Sequence, residues 1–163
     1  MRISTSPNTL VVDVDSEAET DLLAKALAET TRPNTVIALV GPLGAGKTHL
    51  VRALAISLGA DPADISSPTY VLIHEYEARL PIYHFDAYRL ATPEAFDALG
   101  VHEYWNADGL CLVEWANLVA DSLPSHTLWI EISPNGPNSR RFTIKHPNLS
   151  LLTDALHAIQ PNL

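Results

Sequence analysis

"GPLGAGKTHL", residues 41–50, holds three of the chain's seven glycines within six positions, and its reading decides the fold. Gly41-x-x-x-x-Gly46-Lys47-Thr48 satisfies the pattern of a phosphate-binding loop. Glycines let the backbone turn its N–H groups inward around phosphate oxygens with no Cβ in the way. Lys47 supplies a point charge to the outer phosphates, and the Thr48 hydroxyl suits Mg²⁺. A helix starting near Gly46 adds its positive N-terminal end. At ordinary residue frequencies the pattern arises by chance in roughly one chain of this length in two hundred, so context has to decide. "TVIALV" (35–40) before it is apolar with no polar alternation, which predicts a strand buried on both faces of a parallel sheet. "KTHLVRALAISLG" after it predicts a helix closed by Gly59. Strand, loop and helix together imply nucleotide binding.

Outward from this unit, "LVVDV" (10–14) predicts a short strand. "DSEAETDLLAKALAET" (15–30) predicts a helix with Asp15 or Ser16 as its N-cap and acids in its first turn. "TYVLIHEYEARLPIYHFDAYRL" (69–90) alternates as two strands around a turn near Arg79, Leu80 and Pro81. "TPEAFDALG" (92–100) has a cap followed by proline and ends on glycine, a short helix. "LCLVEW" (110–115) is a second buried-type strand. "TLWIEIS" and "RRFTIKH" flank a turn rich in Pro, Asn and Gly, an antiparallel hairpin. "LSLLTDALHAIQ" (149–160) predicts a closing helix. The expected architecture is a single three-layer α/β domain over residues 1–163, of P-loop NTPase type, with a mostly parallel central sheet and antiparallel additions.

The bulk composition narrows the function. The chain has 163 residues, 47% hydrophobic and 18% charged, which is a globular balance. Ten basic against 19 acidic residues leave a net charge of −9, the wrong sign for gripping a nucleic-acid backbone by charge. Cys111 is the only cysteine, so no disulfide framework exists, and its apolar neighbours predict a core position. No apolar stretch approaches the roughly 20 residues of a membrane span, and "MRISTSPNTL" lacks the apolar centre of a signal peptide. The expectation is a cytoplasmic protein.

A phosphate loop needs a carboxylate to organise Mg²⁺ and the attacking water. "LCLVE" places Glu114 at the end of an apolar strand, at the sheet edge where ligands gather in open α/β folds; the alternative is an acid that merely ends a strand. Asp86 in "YHFDAYRL" stands near another strand end, either for the metal or nucleophile or as a capping acid. Thr69 in "SSPTY" is either a nucleotide-sensing hydroxyl or part of an ordinary turn. Arg89 is the one basic residue between Asp86 and Glu114, available to transition-state charge or to a neighbouring acid. The seven histidines show no H-x-x-x-H ligand spacing and are read as surface or satisfied structural residues.

"GPLGAGKT", "SSPTY", "YHFDAYRL" and "LVEW", in that order, resemble the TsaE family, the small ATPases of bacterial threonylcarbamoyladenosine synthesis in tRNA. The resemblance spans roughly residues 10 to 135. It implies ATP and Mg²⁺ as cofactors, a TsaB–TsaD complex as partner, and contact with tRNA only through that complex. By motif, Gly41 opens the loop, and Gly44, Ala45, Gly46, Lys47, Thr48 and His49 would wrap the phosphates. Thr48 and Glu114 would hold Mg²⁺. Asp86 would be a catalytic or metal-site acid beside Lys47 and Glu114, and Thr69 a switch residue. Trp115 would pack beside the site or report on nucleotide, or serve the core. Ser16 or Glu17 would match the segment approaching the nucleobase, and Arg140 would meet nucleotide, partner or solvent. Two departures stand out. His49 occupies a position where members often carry Thr or Ser, and Ala116 one where they often carry proline.

Three other classes compete. A small P-loop kinase would bring several arginines over the phosphates, which the 86–114 stretch lacks. A GTP switch would need an N-K-x-D stretch, absent here. A non-catalytic module that binds nucleotide only to dock a partner shares most of the same residues.

Overall fold

The structure is a computed structural model that describes residues 1–65, 72–90 and 92–159. Its strands are β1 (Arg2–Ser6), β2 (Thr9–Val14), β3 (Thr35–Val40), β4 (Ile73–Tyr76), β5 (Ile82–Asp86), β6 (Leu110–Glu114), β7 (Leu128–Pro134) and β8 (Arg140–Lys145). The α-helices are α1 (Glu17–Thr30), α2 (Lys47–Ser57), α3 (Pro93–Asp97), α4 (Val101–Tyr104) and α5 (Ser150–Ile159). All eight strands join one sheet in the order β1-β2-β8-β7-β3-β6-β5-β4. The middle four, β7, β3, β6 and β5, run parallel. Antiparallel partners extend the sheet on both sides, β4 beside β5 and β8, β2 and β1 beyond β7. The architecture is thus α/β, with the parallel strands in the middle of a mixed sheet.

β3 is apolar on both faces because both are covered. Ile37 and Leu39 belong to a core with Leu23 and Leu27 of α1, Leu50 and Leu54 of α2, and Leu156 of α5. Val36 and Ala38 belong to the opposite core, with Phe85, Phe96 of α3, Val101 of α4 and Trp105. Removing this apolar area from water is the main favourable term in folding. Cys111 lies fully buried in the second core, and burial pushes its thiol up to about 12. The thiol donates to the Tyr104 carbonyl at 3.3 Å.

Between Asp15 and Ser16, the backbone chooses Ser16 as the N-cap of α1, its hydroxyl accepting from the Glu19 amide at 3.3 Å. Thr92 caps α3 in the same way through Ala95 N, with Pro93 at the first helical position. β1 has no counterpart in the sequence-based reading. "RISTS" is largely polar and exposed, and it becomes a strand only through edge pairing with β2. No helix among the described residues is long and apolar enough to cross a membrane.

The parallel register builds the site. Leu39 of β3 and Asp86 of β5 both pair with Glu114 of β6. The loop after β3 and the two acids therefore share one carboxyl edge of the sheet, where ligands bind in open α/β folds.

Candidate nucleotide-binding and catalytic site

The glycine loop fits against β7 only because its first residue lacks a side chain. A Cβ on Gly41 would stand 2.4 Å from the Ile132 carbonyl oxygen, a backbone atom that cannot swing away. Gly46 caps α2 at φ +108, a left-handed backbone that other residues rarely adopt. Ala45 is fully buried, whereas Leu43 at the loop tip is 90% exposed.

Lys47 opens α2 and is almost wholly buried. Its ammonium donates to the carbonyls of Gly41 at 2.6 Å and Pro42 at 3.0 Å. It also stands 3.8 Å from the centre of the Trp115 ring, a cation–π contact. Burial lowers its pKa, while the charges of Glu114 and Asp86 oppose that shift. The loop thus stores the cation on its own carbonyls, the kind of oxygen that phosphate would replace. Trp115 reaches this position from a left-handed backbone, φ +58, immediately after β6. The Tyr88 ring packs against it at 4.7 Å.

Thr48 and Glu114, 66 residues apart in sequence, meet directly. The Thr48 hydroxyl donates to the Glu114 carboxylate at 3.1 and 3.2 Å. A hydroxyl and a nearly fully buried carboxylate side by side are hard oxygen donors, the set that Mg²⁺ takes, so these residues fit that ion. Glu114 Oε1 also meets His84, whose Nε2 lies 2.8 Å away. Behind it the Tyr76 hydroxyl lies 3.3 Å from His84 Nδ1. Reading histidines by ligand spacing misses this residue. The available signal was strand alternation, which puts His84 on the same face as Asp86.

Asp86 stands beside Glu114 in register and already has partners. One oxygen accepts from the Tyr88 amide at 3.1 Å, capping the 3₁₀ turn Ala87–Arg89. The other pairs with Arg89 Nε at 3.3 Å. The capping acid that the sequence offered as one of two readings is present, and the same residue stands beside Glu114 at the sheet edge. Arg89 is the neighbour of an acid here.

Arg140 braces the loop from β8, donating from Nε to the Ala45 carbonyl at 3.0 Å and from a terminal nitrogen to the Ser139 carbonyl at 2.9 Å. It also lines a cleft of about 440 Å³ with Ser16, Glu17, Ala45, Gly46 and His49. His49 reaches across to α1, with Nε2 3.0 Å from Asp21 Oδ1. The cleft adjoins the buried end of the phosphate loop, a position suited to the rest of a nucleotide. Thr69 lies outside the described residues.

Comparison with known proteins bears on this geometry. The family described as "Threonylcarbamoyl adenosine biosynthesis protein TsaE" matches residues 14–142. The chain belongs to the TsaE family. It is 40% identical over 126 residues to the tRNA threonylcarbamoyladenosine biosynthesis protein TsaE of Bacillus subtilis, covering 77% of this chain and 78% of that one. The protein of the same name from Treponema pallidum is 40% identical over 110 residues, covering 68% and 81%. Among solved structures, that of Bacillus subtilis YdiB superposes with a TM-score of 0.76 at 34% identity, covering 95% of this chain and 98% of that one.

In this TsaE-family chain the Lys47–Trp115 contact gives a direct optical prediction. A nucleotide that draws the ammonium onto its phosphates removes a cation from the indole face, so Trp115 emission is expected to change on ATP addition. Among the described residues, Trp115 is the tryptophan that makes a cation–π contact with Lys47. Trp115→Phe is therefore expected to abolish the change while calorimetry still detects binding. An unchanged response in that variant would place the reporter elsewhere.

Proposed function

We propose that this protein is a Mg²⁺-dependent ATPase of tRNA threonylcarbamoyladenosine biosynthesis, and that its hydrolysis of ATP supports turnover of a TsaB–TsaD complex. The contact between Thr48 and Glu114 at the carboxyl edge of the sheet carries the reading. It joins the first residues of the loop helix to the acid that ends β6, the two elements that a phosphate-binding ATPase must bring together. Family membership supports the pathway, since the matching relatives carry it in their names.

The chain's own groups divide the work. The α2 N-terminus and the loop amides would receive the phosphates, and Lys47 would transfer its ammonium from the Gly41 and Pro42 carbonyls to them. Thr48 and Glu114 would hold Mg²⁺, which when bound neutralises phosphate charge. Asp86, next to Glu114, would orient the attacking water directly or through the metal shell. Ser16, Glu17, His49 and Arg140 would face the nucleoside in the cleft.

Positive groups to stabilise the transition state are few. Arg89 is paired with Asp86, and Arg140 with loop and hairpin carbonyls. Slow turnover alone follows, with a partner completing the site. The net charge of −9 likewise favours meeting tRNA through that partner. Hydrolysis measured with and without TsaB–TsaD is expected to rise at least about tenfold with the complex, a small part of what one supplied cation can achieve. Equal rates would refute the partnership; no hydrolysis in either sample would refute the enzyme.

A further inference from the structure

The imidazole of His84 has no part in the nucleotide chemistry set out above, yet it is 7% exposed inside β5 and touches the proposed metal-site acid. A polar ring in a strand interior is costly unless its nitrogens are bonded. Here both are. Because a carboxylate only accepts, Nε2 carries the hydrogen that bridges 2.8 Å to Glu114 Oε1. In the neutral tautomer with its hydrogen on Nε2, Nδ1 accepts from the Tyr76 hydroxyl at 3.3 Å. Burial and the nearby Glu114 charge push the Tyr76 phenol up, so that hydroxyl keeps its proton.

We infer that His84, backed by Tyr76, is a positioning residue that fixes the Glu114 carboxylate for Mg²⁺. The inference rests on the proposed Mg²⁺-dependent ATPase reading and assigns a role that the loop motif does not contain.

The sheet register explains why this residue can do it. His84 pairs with Leu112 and Asp86 with Glu114, so His84 lies two residues down β5 on the same face as Asp86 and reaches diagonally to Glu114. Its partner Tyr76 comes from β4, where the antiparallel register sets His74 opposite His84. The His74 ring packs 5.6 Å from His84 and closes the side of the imidazole. The line Tyr76–His84–Glu114–Thr48 therefore runs from the edge strand to the phosphate-loop helix with a hydrogen bond at each step. A glutamate has several free torsions, and an unheld carboxylate would have to be immobilised when metal binds. One imidazole N–H fixes it beforehand. A lysine or arginine at this position would set a permanent full charge against the oxygens that the cation needs. Outer groups of this kind tune metal affinity by about 10–100-fold.

The test compares His84→Gln, whose side-chain amide nitrogen falls where Nε2 was, with His84→Asn, whose amide reaches only as far as Nδ1. Binding of a fluorescent, non-hydrolysable ATP analogue is titrated with EDTA and then over a range of Mg²⁺. His84→Asn is expected to need at least about tenfold more Mg²⁺ for half-maximal enhancement, with its EDTA affinity unchanged. His84→Gln is expected within about threefold of the parent, and Tyr76→Phe between the two. Equal Mg²⁺ requirements for the parent, the Gln and the Asn proteins would overturn the inference alone. So would Gln and Asn variants equally impaired in EDTA as well as in Mg²⁺, the mark of a merely structural residue. If the parent protein itself gained nothing from Mg²⁺, the metal-site reading of Thr48 and Glu114 would fall and the positioning role with it, whereas the ATPase reading stands or falls on the hydrolysis measurement.

Discussion

Lys47→Ala is expected to reduce ATP turnover by roughly 10²–10³-fold and to weaken nucleotide binding, because it removes the one ammonium placed inside the phosphate loop. Most of the Lys47 side chain is buried, so alanine also deletes packed stem atoms beside Trp115. Lys47→Met separates the two effects. It keeps the stem volume and removes the charge. In the free protein the lost hydrogen bonds involve the Gly41 and Pro42 carbonyls, in a loop that is partly open to solvent. Thermal stability should therefore change little in the Met protein while turnover is lost. Hydrolysis at the parent rate in Lys47→Met would remove Lys47 from the mechanism.

Glu114→Gln is expected to lower Mg²⁺-dependent hydrolysis by roughly 10²–10³-fold, the scale of losing one electrostatic group aimed at a reacting centre. Nucleotide binding in EDTA should be retained, since the loop amides and Lys47 remain. The amide keeps an oxygen that can accept from His84, so the fold around it should persist. Glu114→Ala tests the same charge more harshly, leaving the Thr48 hydroxyl and His84 without their shared acceptor. Normal ATP hydrolysis by either variant would show that the acid ending β6 is not a metal-site residue. The two experiments divide the proposed site: Lys47 would act on phosphate, Glu114 on metal.

How much of this was legible in advance depends on how local each signal is. The loop, the strand before it and the helix after it are contiguous, and their residue types are dictated by backbone geometry within ten positions. Gly41 illustrates the boundary. Its presence is a motif feature, but the reason that no side chain fits, the Ile132 carbonyl of β7, lies about ninety residues away. Glu114 could be read because a buried strand writes an uninterrupted apolar run, and an acid closing it is conspicuous. Asp86 stood equally near a strand end, and the sequence offered both a capping acid and an Arg89 beside an acid, but only the turn that follows β5 selects those alternatives. Arg140 could only be named; the hairpin register that carries it to the Ala45 carbonyl has no local signature. β1 escaped because an edge strand has one pairing partner and largely exposed side chains, so it writes no apolar pattern.

Local sequence was enough to place a glycine loop of the phosphate-binding pattern between a buried strand and a helix, and an acid at the end of a second buried strand. Those are properties of short segments, in which steric freedom and hydrophobic periodicity act on adjacent residues. What the acid touches follows from how distant strands pair. The parallel pairing of β3, β6 and β5 brings Thr48, Glu114 and His84 together from three distant segments, and β4 adds Tyr76 from the edge. Hydrogen bonds between strands fix such contacts, and nothing in the spacing along one strand reveals which residue of its neighbour will stand opposite.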